Sequence, residues 1–201
     1  VDFNLKLEDD MEFQWTTGED MSAGSQYLDM EGEYHMAIQE IDTPALKNDG
    51  SIISNSLFGV TFAVLAGPPG TENKIKKEVF WTPNTAHRDG GRMERRKIDR
   101  FLLAANLIQP GELNASKNLD LNKAKFQQLC VRLIKRTDNQ GREHLQVKFA
   151  DIYHVDDPEA ANFPRNDQML NLIKPHLRRI GLRSQGMPVR APAAQVDDFS
   201  F

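Results

Sequence analysis

Cysteine is almost missing from this chain, and long apolar runs are missing altogether. Cys130 is the only thiol among 201 residues, so neither an internal disulfide nor a cysteine-based metal cluster can form. No apolar stretch approaches the roughly 20 residues that a membrane-spanning helix needs. No secretory leader opens the sequence, and a reducing, cytoplasmic setting is the expectation. An overall basic character is missing too. The net charge is −4, which argues against a protein that coats nucleic acid by charge alone.

Catalytic signatures are equally scarce. Gly67-Pro68-Pro69-Gly70-Thr71 lacks the Gly-Lys-Ser/Thr ending of a phosphate loop and opens a strand, not a helix. There is no Gly-x-Ser-x-Gly elbow. The histidines 35, 87, 144, 154 and 176 are scattered. His154 with Asp156 and Asp157 has two readings, a metal-binding group or the turn that ends a strand, and the turn is favoured. Cys130 alternates within a strand and reads as a buried thiol. The expectation is a protein without enzymatic activity, cofactor or metal.

What is present is an ordinary globular composition with an uneven charge distribution. Hydrophobic residues make up 39% and charged residues 27%, enough for one packed domain with extensions. Val1 to Asp42 carries twelve acidic residues and a single basic one, Lys6. Between Lys74 and Arg100 nine Lys and Arg face four Asp and Glu. That second stretch also places Phe80 and Trp81 beside Lys74, Lys76 and Lys77. Cations with aromatics on a strand suit single-stranded nucleic acid, because cations follow phosphates and rings stack on unpaired bases. A core aromatic on an ordinary strand with a solvated charged face is the plainer alternative.

Five strands are predicted from period-two alternation. They run Glu33 to Ile41, Ile52 to Ala66, Ile75 to Thr82, Gln127 to Arg136, and Glu143 to Val155. A short strand around Phe3, Leu5 and Leu7 is a further possibility, with Trp15 either pinning the acidic arm or standing as an exposed anchor. Gly59 suggests a bend or bulge. Arg92 to Ile108 reads as an amphipathic helix. Its apolar stripe is Ile98, Phe101, Leu102, Ala105 and Ile108, and Arg92, Arg95, Arg96 and Arg100 lie on the opposite side. Asp167 to Ile180 is a short helical segment interrupted by Pro175. Its Lys174, His176, Arg178 and Arg179 form a second basic cluster. Residues from Arg183 onward read as a disordered tail. The order strand, strand, strand, helix, strand, strand is that of a mainly β, five-stranded OB-fold barrel with a helix between strands three and four. A generic sheet with one helix is the alternative.

On these residues the chain resembles the OB-fold single-stranded-DNA-binding proteins of bacteriophages and their bacterial relatives. The resemblance covers roughly Gly32 to Glu159. It is carried by GEYHMAIQEI at Gly32 to Ile41, the long strand Leu57 to Gly67, VFW at Val79 to Trp81, RKIDRFLLAANLI at Arg96 to Ile108, and VKFADIYHVDDP at Val147 to Pro158. It implies non-catalytic binding of single-stranded DNA, in replication, recombination or repair, in a bacterial or phage-infected cell. Residues 1–31 would be an acidic arm, 32–159 the binding domain, 160–182 a linker with a short helix, and 183–201 a tail. The last residues, Val196 to Phe201, are similar in type to the acidic, Phe-terminated tips through which bacterial relatives recruit DNA-processing enzymes. Here the tip has only Asp197 and Asp198, with Phe199 and Phe201, and lacks the usual Ile-Pro. An accidental chain end is the alternative. A homo-oligomer is compatible with the pattern.

The binding candidates are Lys74, Lys76, Lys77, Arg88 and Arg92 for phosphates, with Lys135, Arg136, Lys148 and Tyr153 as secondary positions; a core role is an equal alternative for Tyr153. One of Phe80 and Trp81 should stack a base, since alternation puts the two on opposite sides. Val79 in register with Trp81 argues that Trp81 is core and Phe80 exposed, unless a bulge inverts the phase. Three readings follow. The first is a single-strand DNA binder, the second a β-barrel protein-interaction module such as a phage assembly factor, and the third an RNA-binding OB protein.

Overall fold

The computed structural model describes residues 3–5, 13–15, 26–113, 118–138, 140–173 and 177. The distal tail, including Asp197, Asp198, Phe199 and Phe201, lies outside the described residues. So does the basic cluster of Lys174, His176, Arg178 and Arg179.

All five predicted strands form. A small antiparallel pair precedes them, β1 (Phe3–Leu5) with β2 (Phe13–Trp15), in which Phe3 and Trp15 are register partners along the backbone. The main sheet comprises β3 (Gly32–Asp42), β4 (Ser56–Ala66), β5 (Ile75–Trp81), β6 (Gln128–Thr137) and β7 (Glu143–His154). The strand order is β5-β4-β3-β6-β7, antiparallel throughout. β5 and β7 are the two edges, and no ladder joins them among the described residues. The closed barrel expected from the sequence is therefore corrected to an open sheet. Strand alternation reports which residues are buried; it does not report whether two edges meet.

β4 begins at Ser56 rather than Ile52. Ile52 belongs to a loop, where it bridges Leu46. Asn55 takes a left-handed conformation (φ 62°) that ends this loop, and the Ser56 hydroxyl donates to Ile53 O at 2.6 Å. The expected bulge also sits elsewhere. The register slips at Leu57, between the pairs Ser56–Trp81 and Phe58–Phe80. Gly59 serves a close approach instead, because a Cβ there would stand 3.0 Å from the Ala45 methyl.

The helix α1 (Arg92–Ala104) follows β5 in the predicted slot. Asp89 caps its start, accepting from Gly91 N (3.0 Å) and Met93 N (3.1 Å) through its two carboxylate oxygens. The helix ends four residues earlier than its apolar stripe suggests. Asn106 adopts φ 55°, Leu107 N reaches back to Leu102 O (2.9 Å), and Asn106 N to Leu103 O (3.2 Å). This is a Schellman stop with Asn in the left-handed position. Ile108 is still buried, but as part of the turn.

The core lies between α1 and one face of the sheet. Phe58 stacks on Phe80 at 4.5 Å with 15° between planes, and Phe101 of α1 tilts against both at 5.4 and 4.9 Å. Tyr34, Met36, Ile38, Phe62, Leu129, Val131 and Ile152 extend this cluster. The other face of the sheet is also covered. Cys130, Tyr153 and Val155 pack against Ala160, Phe163 and Leu170 from the segment after β7. Hence Tyr34 to Ile38 and Phe58 to Leu65 are buried without a break. Of the predicted C-terminal helical segment, one turn, α2 (Asp167–Leu170), lies among the described residues. No described helix is long and apolar enough to cross a membrane.

Polar contacts fix this covering segment. Asn166 N donates to His35 Nδ1 (3.1 Å), Asn166 Nδ2 to Leu65 O (3.3 Å), and Gln128 Nε2 to Met169 O (2.7 Å). His154 Nδ1 accepts from Asp156 N (3.1 Å) and its Nε2 meets Leu177 O (2.9 Å), so this histidine organises the turn after β7. His35 is fully buried, and burial pushes its pKa down to about 4, with the Arg165 charge acting the same way. The unfolded chain therefore binds a proton that the folded chain refuses at mildly acidic pH. The His35 contribution is complete above pH 6.5 and is lost progressively down to about pH 4. The full loss is about 3 kcal/mol. Urea unfolding at pH 7, 6 and 5 should show it, and His35→Gln should flatten this part of the profile. An equally steep profile in the variant would assign the loss to other groups.

Candidate nucleic-acid interface

The open edge of the sheet forms a cleft. Its walls are β5, the first turns of α1, and the adjoining ends of β6 and β7, and it encloses about 560 Å³. Four cations line it, Lys76, Lys77, Lys97 and Arg136, against two carboxylates, Glu78 and Glu94. Trp81, Met93 and Phe149 supply the apolar wall, 45%, 43% and 55% exposed. Exposure of this kind in large side chains that share one concavity marks a binding surface more often than scattered single residues do.

β5 positions one wall. Its alternation is intact, but in the phase opposite to that expected. Lys76, Glu78 and Phe80 face inward, while Ile75, Lys77, Val79 and Trp81 face outward. Phe80 is wholly buried, so the expectation that it is the exposed, base-stacking ring is corrected, and Trp81 is the accessible one. The physical reason is the slip at Leu57 together with the Phe58–Phe80–Phe101 stack, which takes Phe80 into the core.

Two charged residues share the inward side with Phe80, and they are tolerated because α1 completes an ion cluster. Glu78, 5% exposed, receives the Lys76 ammonium at 2.7 Å on one carboxylate oxygen and the Lys97 ammonium on the other. Burial pushes the Glu78 carboxyl up, but the two lysines and their hydrogen bonds outweigh it and hold the carboxyl below its ordinary range. Lys97 also lies 4.9 Å over the Phe80 ring.

The facing wall comes from β7. There the register jumps from Leu133–Val147 to Val131–Ile152, so Lys148 to Asp151 stand opposite Arg132 alone. Phe149, at the centre of this bulge, has φ 51° and is turned out to solvent. The Arg136 guanidinium lies 5.7 Å from its ring. Arg132, opposite the bulge, is held by its β3 neighbour Glu33 (2.6 Å) and by Asp151 of the bulge (3.1 Å).

The loop before α1 sets where the helix starts. Gly91 is in the left-handed region (φ 72°), and a Cβ there would approach Asn84 N to 2.9 Å and Pro83 C to 3.0 Å. Only glycine fits this close approach of loop to helix, which holds Met93, Glu94 and Lys97 over the cleft.

Of the sequence candidates, the cleft brings together Lys76, Lys77, Trp81 and Arg136. Lys74 stands outside it, paired with Asp29 at 3.2 Å. Arg88 is exposed in the loop before α1, and Arg92 is exposed with its Nε bonded to Asp89 O at 3.0 Å. Lys135 lies 4.0 Å from Glu143, and Lys148 is half-buried; neither lines the cleft. Tyr153 is a core residue. It is 7% exposed, edge-on to Phe163, with its hydroxyl donating to Asp151 at 3.0 Å. Phe149, Met93 and Lys97 belong to the cleft and were not among the sequence candidates. The signal for Phe149 was legible: Leu145 and Val147 keep one phase and Ala150 and Ile152 the other, so one residue between them must be extruded.

No protein-family model matches this chain, and no curated protein matches its sequence.

Proposed function

We propose that the chain binds single-stranded nucleic acid, and DNA in the first place, in the cleft between β5 and β7. The observation that carries this reading is the pairing of two exposed rings, Trp81 and Phe149, with Lys77 and Arg136 across one concavity. Rings of this kind stack on unpaired bases, and cations between them follow the phosphates. The strand order, with the helix between the third and fourth strands of the sheet, agrees with an open OB-type topology. Binding is sequence-tolerant and non-catalytic, and the C-terminal tip would recruit DNA-processing partners. The acidic first 42 residues favour strands that fit the cleft over indiscriminate adhesion to duplex.

The test is a titration of the intact chain with oligo-dT, oligo-rU and duplex DNA, followed by Trp fluorescence and by gel shift at several salt concentrations. Oligo-dT should bind and weaken steeply with salt, and duplex should bind far less. Tighter binding of oligo-rU would move the assignment to RNA. No binding by either readout at low salt would sink it.

A further inference from the structure

The ion cluster at the base of the cleft is unbalanced. Two ammonium groups meet one carboxylate, and the three side chains are only 10%, 17% and 5% exposed for Lys76, Lys97 and Glu78. A buried charge without a partner is costly, and within this hydrogen-bonded cluster one positive charge is left over; Glu94, the other carboxylate of the cleft, has a buried Oε2 with no hydrogen-bond partner. Each ammonium also has donor capacity left. Lys76 gives hydrogen bonds to Glu78 and to Lys77 O, and Lys97 to Glu78 and to Val79 O (3.2 Å), so each has used two of three N–H groups.

The backbone beside the cluster has the same bias. Ile75 turns its N–H and C=O away from β4, to Gln26 O (2.9 Å) and Leu28 N (2.8 Å). Alternation gives Lys77 and Val79 the same outward orientation, where no strand pairs with them among the described residues. Their carbonyls are the ones that accept from the Lys76 and Lys97 ammonium groups. The lysines thus occupy the acceptors of this edge and leave its donors. Such an edge rejects an added β-strand, which needs donors and acceptors in turn, and suits a partner made only of acceptors.

We infer that Lys76, Lys97 and the edge of β5 at Lys77 and Val79 form a subsite for one phosphate group, which supplies the missing negative charge. Its identification as a phosphodiester of a bound strand rests on the single-strand reading; the anion subsite itself rests on the charge imbalance. Both lysines are inner, packed residues, so the subsite is distinct from the exposed Arg92, Arg95 and Arg96 of α1.

Lys97→Met tests it, because the remaining Lys76–Glu78 pair is balanced and the fold should persist. Lys76→Met leaves the equivalent Lys97–Glu78 pair and serves as the second variant. Two measurements are made on the full chain. Melting is followed in inorganic phosphate against chloride at equal ionic strength, and oligo-dT affinity is followed against salt. Phosphate should raise the wild-type melting temperature more than that of either variant. Either substitution should weaken oligo-dT roughly tenfold and lower the salt slope by about one. Phosphate stabilisation lost in the variants, with no oligonucleotide binding by any form, would uphold the anion subsite and overturn the phosphodiester. Equal stabilisation of all three proteins, with unchanged salt slopes for a bound strand, would overturn the subsite and leave strand binding standing.

Discussion

Glu78→Ala should destabilise the protein by about 3–5 kcal/mol, the usual cost of removing one partner from a buried ion cluster. Glu78 holds both Lys76 and Lys97 within hydrogen-bond reach, and all three are largely shielded from water. The substitution leaves two ammonium groups side by side with no counter-charge and opens a void under α1. Urea unfolding at neutral pH measures the loss. The same logic gives a pH dependence with a definite sign. The carboxyl is held below its ordinary value, so its contribution is fully present above about pH 4.5 and fades as pH falls through the lowered value. Glu78→Ala combined with Lys97→Met should recover part of the loss, since one stranded charge is then gone. A loss below about 1 kcal/mol for Glu78→Ala would mean that the lysines swing out to solvent and that the ion cluster does not hold α1 to β5.

Much of this fold was legible because it is written in local periodicity. The five strands, the helix between the third and fourth of them, and the exposure of Arg92, Arg95 and Arg96 follow from spacing of apolar residues, while Arg100, at the end of the same row, is half-buried 5.8 Å from the Tyr153 ring. Three features were not. The phase of β5 was misread because Val79 is apolar and Lys76 and Glu78 are charged, and polarity normally marks the outward side. The inward charges become tolerable only when Lys97 arrives from α1, nineteen positions later than Glu78. The covering of the outer sheet face depends on a polar-looking segment, in which Asn166 and Met169 bond His35 and Gln128 from far along the chain. Closure of the sheet is a matter of whether two edges meet, and nothing local encodes it. The cleft itself exists because β5 and β7 stay apart, and its two rings come from a strand end, where alternation says little, and from a bulge that shows only as the change of phase between Val147 and Ala150.

Phe80, Trp81 and Phe149 should divide cleanly between stability and binding. Phe80 is fully buried between Phe58 and Phe101, so Phe80→Ala should destabilise by about 3–5 kcal/mol. Trp81 and Phe149 are about half exposed on opposite walls of the cleft. Truncating either should change stability by less than about 1 kcal/mol and weaken oligo-dT by about 1–3 kcal/mol, the scale of one stacked base. The double variant Trp81→Ala/Phe149→Ala should lose close to the sum if the rings stack on separate bases, and less if both sandwich the same one. Gel shift or anisotropy measures affinity independently of the tryptophan being removed. Phe149 adds a check that Trp81 cannot, because its ring also lies against Arg136. Phe149→Leu keeps apolar bulk but removes the π face. A leucine that restores full affinity would show that the cleft only requires apolar contact there, and base stacking at β7 would be wrong. A leucine as weak as alanine, with Trp81→Ala also impaired, would establish two stacking platforms 68 residues apart in the chain and held on facing walls by the open sheet.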